Sequence, residues 1–413
     1  MKILLSHPTG NANVRIAALG CRKAGILSGF YTSIATFPGT FQDKLSNIGP
    51  LSELKRRRFD MHLQPVTKVW PWQEMGRIFS SKAGFKKLTR HEKGMFSVDA
   101  VYRGLDKRVA SLLKGQLKKG LNAVYAYEDG ALETFKEAKE LGLQCIYDLP
   151  IGYWKAARHL LKAEQERWPE WAMTITGFQD SAEKLARKDE ELRLADHIFV
   201  ASSFTAKTLS HYPGKLAAVQ VIPYGFPPVV ENRIYEKIDN RPLKVLFVGG
   251  LSQRKGIADL FAAVKNIGKA VELTIVGQKT NAYCKALDDA LAAHTWIPSL
   301  PHQEILQLMR ANDILVFASL FEGFGLVITE AMSQGTPVIT TDRTAGPDLI
   351  IHNKNGWIVE AGSTSALQQQ IERLIARPDT IALAGQEAMK TAKQRPWEKY
   401  GQELSDAIVK LGF

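Results

Sequence analysis

The chain has 413 residues but only three cysteines, Cys21, Cys145 and Cys284, far apart and without CxxC spacing. That excludes a disulfide framework and a thiolate zinc site, and it fits a reducing compartment. No apolar run approaches the roughly 20 residues that a spanning helix needs. The opening run, Met1-Lys-Ile-Leu-Leu-Ser6, is too short for a signal peptide and leads straight into a glycine loop. The expectation is a cytoplasmic protein, or one attached to a membrane only by its surface. Neither G-x-G-x-x-G nor G-x-x-x-x-G-K-[ST] occurs, so the dinucleotide fingerprint and the P-loop are both absent. There is no Asp-x-Asp pair, no internal repeat and no low-complexity segment. Neither a divalent metal nor any other cofactor is expected.

What is present is the composition of a globular protein, with 45% hydrophobic and 23% charged residues. The length suits two or three domains. The net charge of +12 is uneven. Residues 1–225 carry 34 basic and 22 acidic side chains, whereas residues 226–413 carry 20 of each. Within residues 51–120 the count is 17 against 6, so nearly all the excess sits in seventy residues. Leu54-Lys-Arg-Arg-Arg58 and Phe85-Lys-Lys-Leu-Thr-Arg90 are interleaved there with Trp70, Trp72, Phe79 and Phe96. Three readings stand: an anionic bilayer, nucleic-acid phosphates, or a solvated face whose aromatics belong to the core.

In chain order, Lys2–Ser6 reads as a strand, His7–Asn13 as a glycine loop and Val14–Lys23 as a helix capped by Asn13. A helix is predicted over Val101–Lys119, with Leu105, Val109, Leu112, Leu113 and Leu117 on its core face. Ala123–Tyr127, Gln144–Asp148, His197–Ala201 and Ala218–Ile222 are buried-strand candidates, most followed by helical runs. Ligands of such sheets bind beyond the carboxyl ends of the strands, which puts Glu128 and Asp148 at the rim. Ile222-Pro-Tyr-Gly-Phe-Pro-Pro228 reads as a linker. Beyond it, Lys244–Val248 is a strand, followed by Gly249-Gly-Leu-Ser-Gln-Arg254-Lys255-Gly256 and a helix from Ile257. Glu272–Gly277 and Thr295–Pro298 are further strands.

The most informative stretch is Phe317-Ala-Ser-Leu-Phe-Glu322-Gly-Phe-Gly325-Leu-Val-Ile-Thr-Glu330-Ala-Met-Ser-Gln-Gly335, bounded by the apolar runs Asp313–Phe317 and Thr336–Thr340. It reads as strand, loop, helix, strand. Glu322 and Glu330 lie eight positions apart, about 12 Å along a continuous helix, able to address the two ends of an elongated ligand. The free N–H groups near Gly325 and Leu326 lie between them and suit an anion such as a diphosphate.

This stretch resembles the E-x7-E signature of retaining GT-B glycosyltransferases, family-4 type. The likeness extends to Gly335-Thr-Pro-Val-Ile-Thr-Thr, Gly346-Pro-Asp348 and Asn355-Gly356-Trp-Ile-Val. It implies an α/β fold of GT-B type, two doubly wound Rossmann-like domains facing across a cleft. Residues 1–225 would form the acceptor-side domain and 226–395 the nucleotide-sugar domain. A C-terminal helix in 396–413 would cross back to the first domain.

The implied activity is retaining transfer from a nucleotide diphosphate sugar to a glycan, lipid-linked or polysaccharide acceptor, without metal. By the same resemblance Lys255 and Arg254 serve the leaving phosphate, and Glu322 holds the sugar hydroxyls. Glu330 takes the ribose, and Gly250, Gly323, Phe324, Gly325, Leu326, Gly10 and Asn11 surround the donor. The family's histidine near the end of the fourth strand has no counterpart, so Asp148 is the nearest polar candidate. Glu128, Arg15 and Tyr153 complete the acceptor side. An epimerase or phosphorylase of this fold is the alternative, and a nucleic-acid-binding protein, whose partner is not expected here, a more distant one.

Overall fold

The computed structural model describes residues 1–40, 43, 57–280 and 283–413. The basic residues of the 51–56 segment, Lys55 and Arg56, lie outside the described residues.

Mostly apolar runs of three to six residues fill two wholly parallel sheets packed against helices. The first half contributes β1 (Ile3–Ser6), β2 (Leu27–Thr32), β3 (Thr67–Val69), β4 (Ala123–Tyr127), β5 (Gln144–Leu149), β6 (His197–Val200) and β7 (Ala218–Val221). Their order is β3-β2-β1-β4-β5-β6-β7. The second half contributes β8 (Leu243–Val248), β9 (Val271–Val276), β10 (Thr295–Ile297), β11 (Ile314–Phe317), β12 (Val338–Thr341) and β13 (Trp357–Val359), in the order β10-β9-β8-β11-β12-β13. Both are doubly wound sheets. The strand order reverses between β1 and β4 in the first and between β8 and β11 in the second, and such reversals open a crevice for ligands.

Several boundaries differ from the sequence reading. The first helix is Ala12–Lys23 with Asn11, not Asn13, at its N-cap position; Asn13 lies inside the helix and donates to the Tyr224 hydroxyl at 3.0 Å. The run 101–119 is two helices, Val98–Ala110 and Leu113–Leu117, with Leu105, Val109 and Leu113 buried but Leu117 exposed. Strand β7 is exposed along its whole length because it forms the sheet edge. The Pro- and Gly-rich segment after it, read as a linker, runs between the two sheets and is packed rather than free. Tyr224 and Phe226 are buried, and Arg395 holds the Pro223 and Tyr224 carbonyls.

The last helix, Trp397–Lys410, packs on Ala12–Lys23 so closely that a Cβ on Gly20 would lie 2.2 Å from the Gly401 carbonyl oxygen. Tyr224 joins the two halves: its ring lies 4.8 Å from Phe324 and 5.1 Å from Tyr400.

Candidate active site

The two strand-order reversals face each other, and the space between them is a cleft of about 440 Å³. From the first half it is lined by His7, Asn11, Asn13, Tyr102, Tyr127 and Glu128. From the second it is lined by Gly249, Gly250, Lys255, Phe317, Glu322, and Phe324 through Val327, with Tyr224 between the halves. Eight of the residues singled out from sequence therefore meet here: Asn11, Glu128, Gly250, Lys255, Glu322, Phe324, Gly325 and Leu326.

The second-half wall is built by two loops. After β8, Gly249 and Gly250 leave the strand, and Ser252 caps a turn at Gln253–Lys255 that opens the helix Ile257–Ile267. After β11, the chain passes Glu322 and enters the helix Leu326–Ser333 through Gly325, whose φ of +88° suits glycine. The first N–H groups of that helix have no intrahelical partner and face an anion-sized space with the positive end of the helix dipole behind them.

Lys255 Nζ donates to Glu322 Oε2, and Arg254 donates to the same oxygen at 3.2 Å and to the Phe321 carbonyl at 2.7 Å. The Lys255 ammonium also lies 4.9 Å from the centre of the Phe317 ring. Burial opposes ionisation of Glu322, but Lys255 and then Arg254 overcome it and hold the carboxyl below its usual range. Burial draws the Lys255 ammonium downward, with Glu322 opposing that shift and Arg254 adding to it. The pair is poised: each ion keeps the other charged in a pocket that would neutralise either alone.

Glu330 does not line the cleft. It lies four residues past Leu326, on the same helix face about 6 Å further along. Burial raises its carboxyl, and His302 Nδ1 at 3.8 Å counters this.

Six more of the expected positions do not line the cleft. Gly323 is a hinge contact: its carbonyl accepts from Ser202 Oγ at 2.6 Å and Thr205 Oγ1 at 3.0 Å, and a Cβ there would meet the Pro150 oxygen at 1.9 Å. Gly10 sits behind the cleft against Phe59, and Arg15 is occupied as a brace, donating to the Gly10 and Arg58 carbonyls at 2.9 Å each. Asp148 points into the first-half core, where Tyr125 donates to it at 2.6 Å. Burial pushes its carboxyl up to about 7. Tyr153 is buried and donates to Asp189 at 2.8 Å, so it is a packing group rather than a cleft wall. Arg254, in turn, lies behind Glu322 and reaches the cleft only through it.

His7 was not singled out, although it stands in the first glycine loop. Its Nδ1 accepts the backbone N–H groups of Thr9 at 3.1 Å and Gly10 at 3.0 Å, which leaves Nε2 protonated. Burial first, and Arg57 second, depress its pKa to about 3, so the ring is neutral. Glu128 is buried beside it in the cleft wall, and Lys188 Nζ lies 3.3 Å away. Burial raises Glu128 to about 7 against the pull of Lys188.

Residues 230–394 match the model of the family described as Glycosyl transferases group 1. The capsular polysaccharide biosynthesis glycosyltransferase CapM of Staphylococcus aureus is 26% identical over 250 residues, which cover 55% of this chain and 65% of that protein. The chain spans about half the length of the curated relatives it matches. Among solved structures, sucrose-phosphate synthase from Thermosynechococcus elongatus superposes with a TM-score of 0.66 at 18% identity, covering 100% of this chain and 99% of that one. HepE of Anabaena in complex with UDP-glucose gives 0.63 at 17% identity, covering 99% and 100%. Residues 230–394 are thus similar to the Glycosyl transferases group 1 family, and the two halves together have the GT-B fold.

Proposed function

We propose that the protein is a retaining, metal-independent glycosyltransferase that moves a sugar from a nucleotide diphosphate sugar to a glycan, lipid-linked or polysaccharide acceptor. The observation that carries this reading is the cleft itself, where a half-buried Lys255–Glu322 pair and the start of the helix Leu326–Ser333 face the Glu128 wall of the other half. The match of residues 230–394 to the Glycosyl transferases group 1 family and a structural neighbour that binds UDP-glucose support it, as does a relative in capsular polysaccharide synthesis. Three buried, unpaired cysteines suit a cytoplasmic setting. No helix among the described residues is long and apolar enough to cross a membrane.

Donor binding exchanges partners. The diphosphate takes Lys255 and the free N–H groups at Gly325 and Leu326, and Glu322, kept ionised by Arg254, turns to the sugar hydroxyls. Glu330 accepts from the ribose. As the anomeric C–O bond breaks, charge grows on the leaving phosphate, and fixed donors stabilise it without reorganising. The acceptor oxygen bonds to the anomeric carbon on the face that the diphosphate leaves, and its proton passes to the departing phosphate oxygen. Glu128 holds the acceptor hydroxyl.

The test is incubation with labelled nucleotide sugars and acceptor glycans, with the product anomer read by NMR. Transfer with the donor's anomeric configuration supports the reading. Epimerised free nucleotide sugar without transfer, or an inverted product, overturns it.

A further inference from the structure

Among the described residues, nine of the eighteen large hydrophobic side chains that are exposed lie within residues 61–98. The helix Trp72–Lys82 explains the concentration. Trp72, Met75 and Phe79, at spacings of three and four, share one face and are 69%, 43% and 68% exposed. The turn that follows adds exposed Phe85 and Leu88. Trp70 packs against the first-half core and Phe96 is half-buried, so the third reading holds for those two rings but not for Trp72, Phe79 and Phe85.

The same strip is basic. Lys86, Lys87, Arg90 and Lys93 are exposed, and none of them has an ion-pair partner among the described residues. The inner face of the helix is anchored. Glu74 is buried and accepts from Arg77 at 2.7 and 2.8 Å and from Arg57. Arg57 in turn donates to the Thr9 carbonyl at 2.5 Å, in the loop whose His7 and Asn11 line the cleft. A second brace runs through Gln73, which packs against Gly104 on the helix that carries Tyr102 into the cleft.

We propose that the face made by Trp72, Met75, Phe79 and Phe85, with Lys86 and Lys87, docks in the headgroup region of an anionic bilayer. Aromatic and apolar side chains enter the interface while lysines meet anionic headgroups, and a duplex would use the cations but leave the aromatics exposed. Because the helix is braced to the cleft loop, docking holds the cleft at the bilayer. Taken with the proposed transferase activity, on which this step rests, the acceptor is then a membrane-borne, lipid-linked one.

The full chain is sedimented with vesicles of phosphatidylcholine alone or with 30% phosphatidylglycerol, a readout that needs no turnover. Binding is expected only to the anionic vesicles and is weakened by salt. Trp72→Ser with Phe79→Ser, and separately Lys86→Glu with Lys87→Glu, each lower the partition coefficient at least tenfold while circular dichroism is unchanged. Equal binding to both vesicles, or binding that neither variant alters, overturns the proposal. So does duplex binding that the charge variant abolishes while vesicles fail to bind. A dimer in light scattering that the Trp72/Phe79 variant dissolves, without vesicle binding, also overturns it by assigning the face to a second copy. Failure of docking leaves the transferase reading untouched.

Discussion

Replacing Lys255 by alanine separates stability from catalysis, because the two effects have different partners. The ammonium is close to a leaving-group oxygen when the donor is bound. Two unit charges about 4 Å apart at an effective dielectric near 20 interact by about 4 kcal/mol. Only the charge gained in the transition state counts toward turnover, and about half a unit of charge gives about 2 kcal/mol, or roughly a thirtyfold loss. The fold is hurt less. Glu322 keeps Arg254 at 3.2 Å, so it is not orphaned. The loss then stays below the roughly 3–5 kcal/mol that stripping the last partner from a buried charge costs. Steady-state kinetics with saturating donor and a thermal melt check both. Turnover of Lys255→Ala within threefold of wild type would refute the reasoning. So would a thermal loss equal to that of the Arg254→Ala, Lys255→Ala double variant, which does orphan Glu322.

Glu322→Ala is expected to lower turnover at least tenfold, about 1.4 kcal/mol, without unfolding the chain; a near-wild-type rate removes it from the mechanism. Activity is expected to survive chelator unchanged, and a loss restored by magnesium or manganese contradicts metal independence. Asp148 should make the protein less stable as pH rises. Its folded pKa of about 7 lies above the ordinary 3.8, so between those values the unfolded chain has released a proton that the folded one keeps. Asp148→Asn should therefore flatten the decline and gain up to roughly 4 kcal/mol over wild type at pH 8 but little near pH 4, read by urea titration; an equal effect at both pH values contradicts the assignment. Gly20→Ala places a Cβ 2.2 Å from the Gly401 carbonyl and should cost roughly 1–3 kcal/mol by forcing the first and last helices apart, a cost that an unchanged melting temperature would disprove.

The second-half site was legible because its signals are local. Buried parallel strands are apolar runs, and the glycines at 249, 250 and 325 mark where each strand becomes a helix. Lys255, Glu322 and Leu326 could be placed from spacing and resemblance together. The first-half site was less so, because contacts across distant sequence decide it. Asp148 and Glu128 both close strands, yet Tyr125 claims the first inside the core while the second faces the cleft. Arg15 looked available until the Gly10 and Arg58 carbonyls took its guanidinium. The run 101–119 kept its apolar spacing across the break at Ser111 and Leu112, so periodicity alone did not show two helices. His7 carried no signal beyond its place in a strand-to-helix loop, since its two backbone donors come from the turn geometry. The exposure of Trp72 and Phe79 is also a tertiary fact: interleaved aromatics and bases look the same whether the rings turn in or out.

The central claim is that the cleft grips a sugar diphosphate between Lys255 and the start of the helix Leu326–Ser333. The most direct measurement is a crystal structure with a nucleotide diphosphate sugar bound. The account predicts a phosphate oxygen about 3 Å from Lys255 Nζ, with Glu322 released from that lysine and turned to the sugar. A donor seated away from Lys255, with the Lys255–Glu322 pair undisturbed, would contradict it.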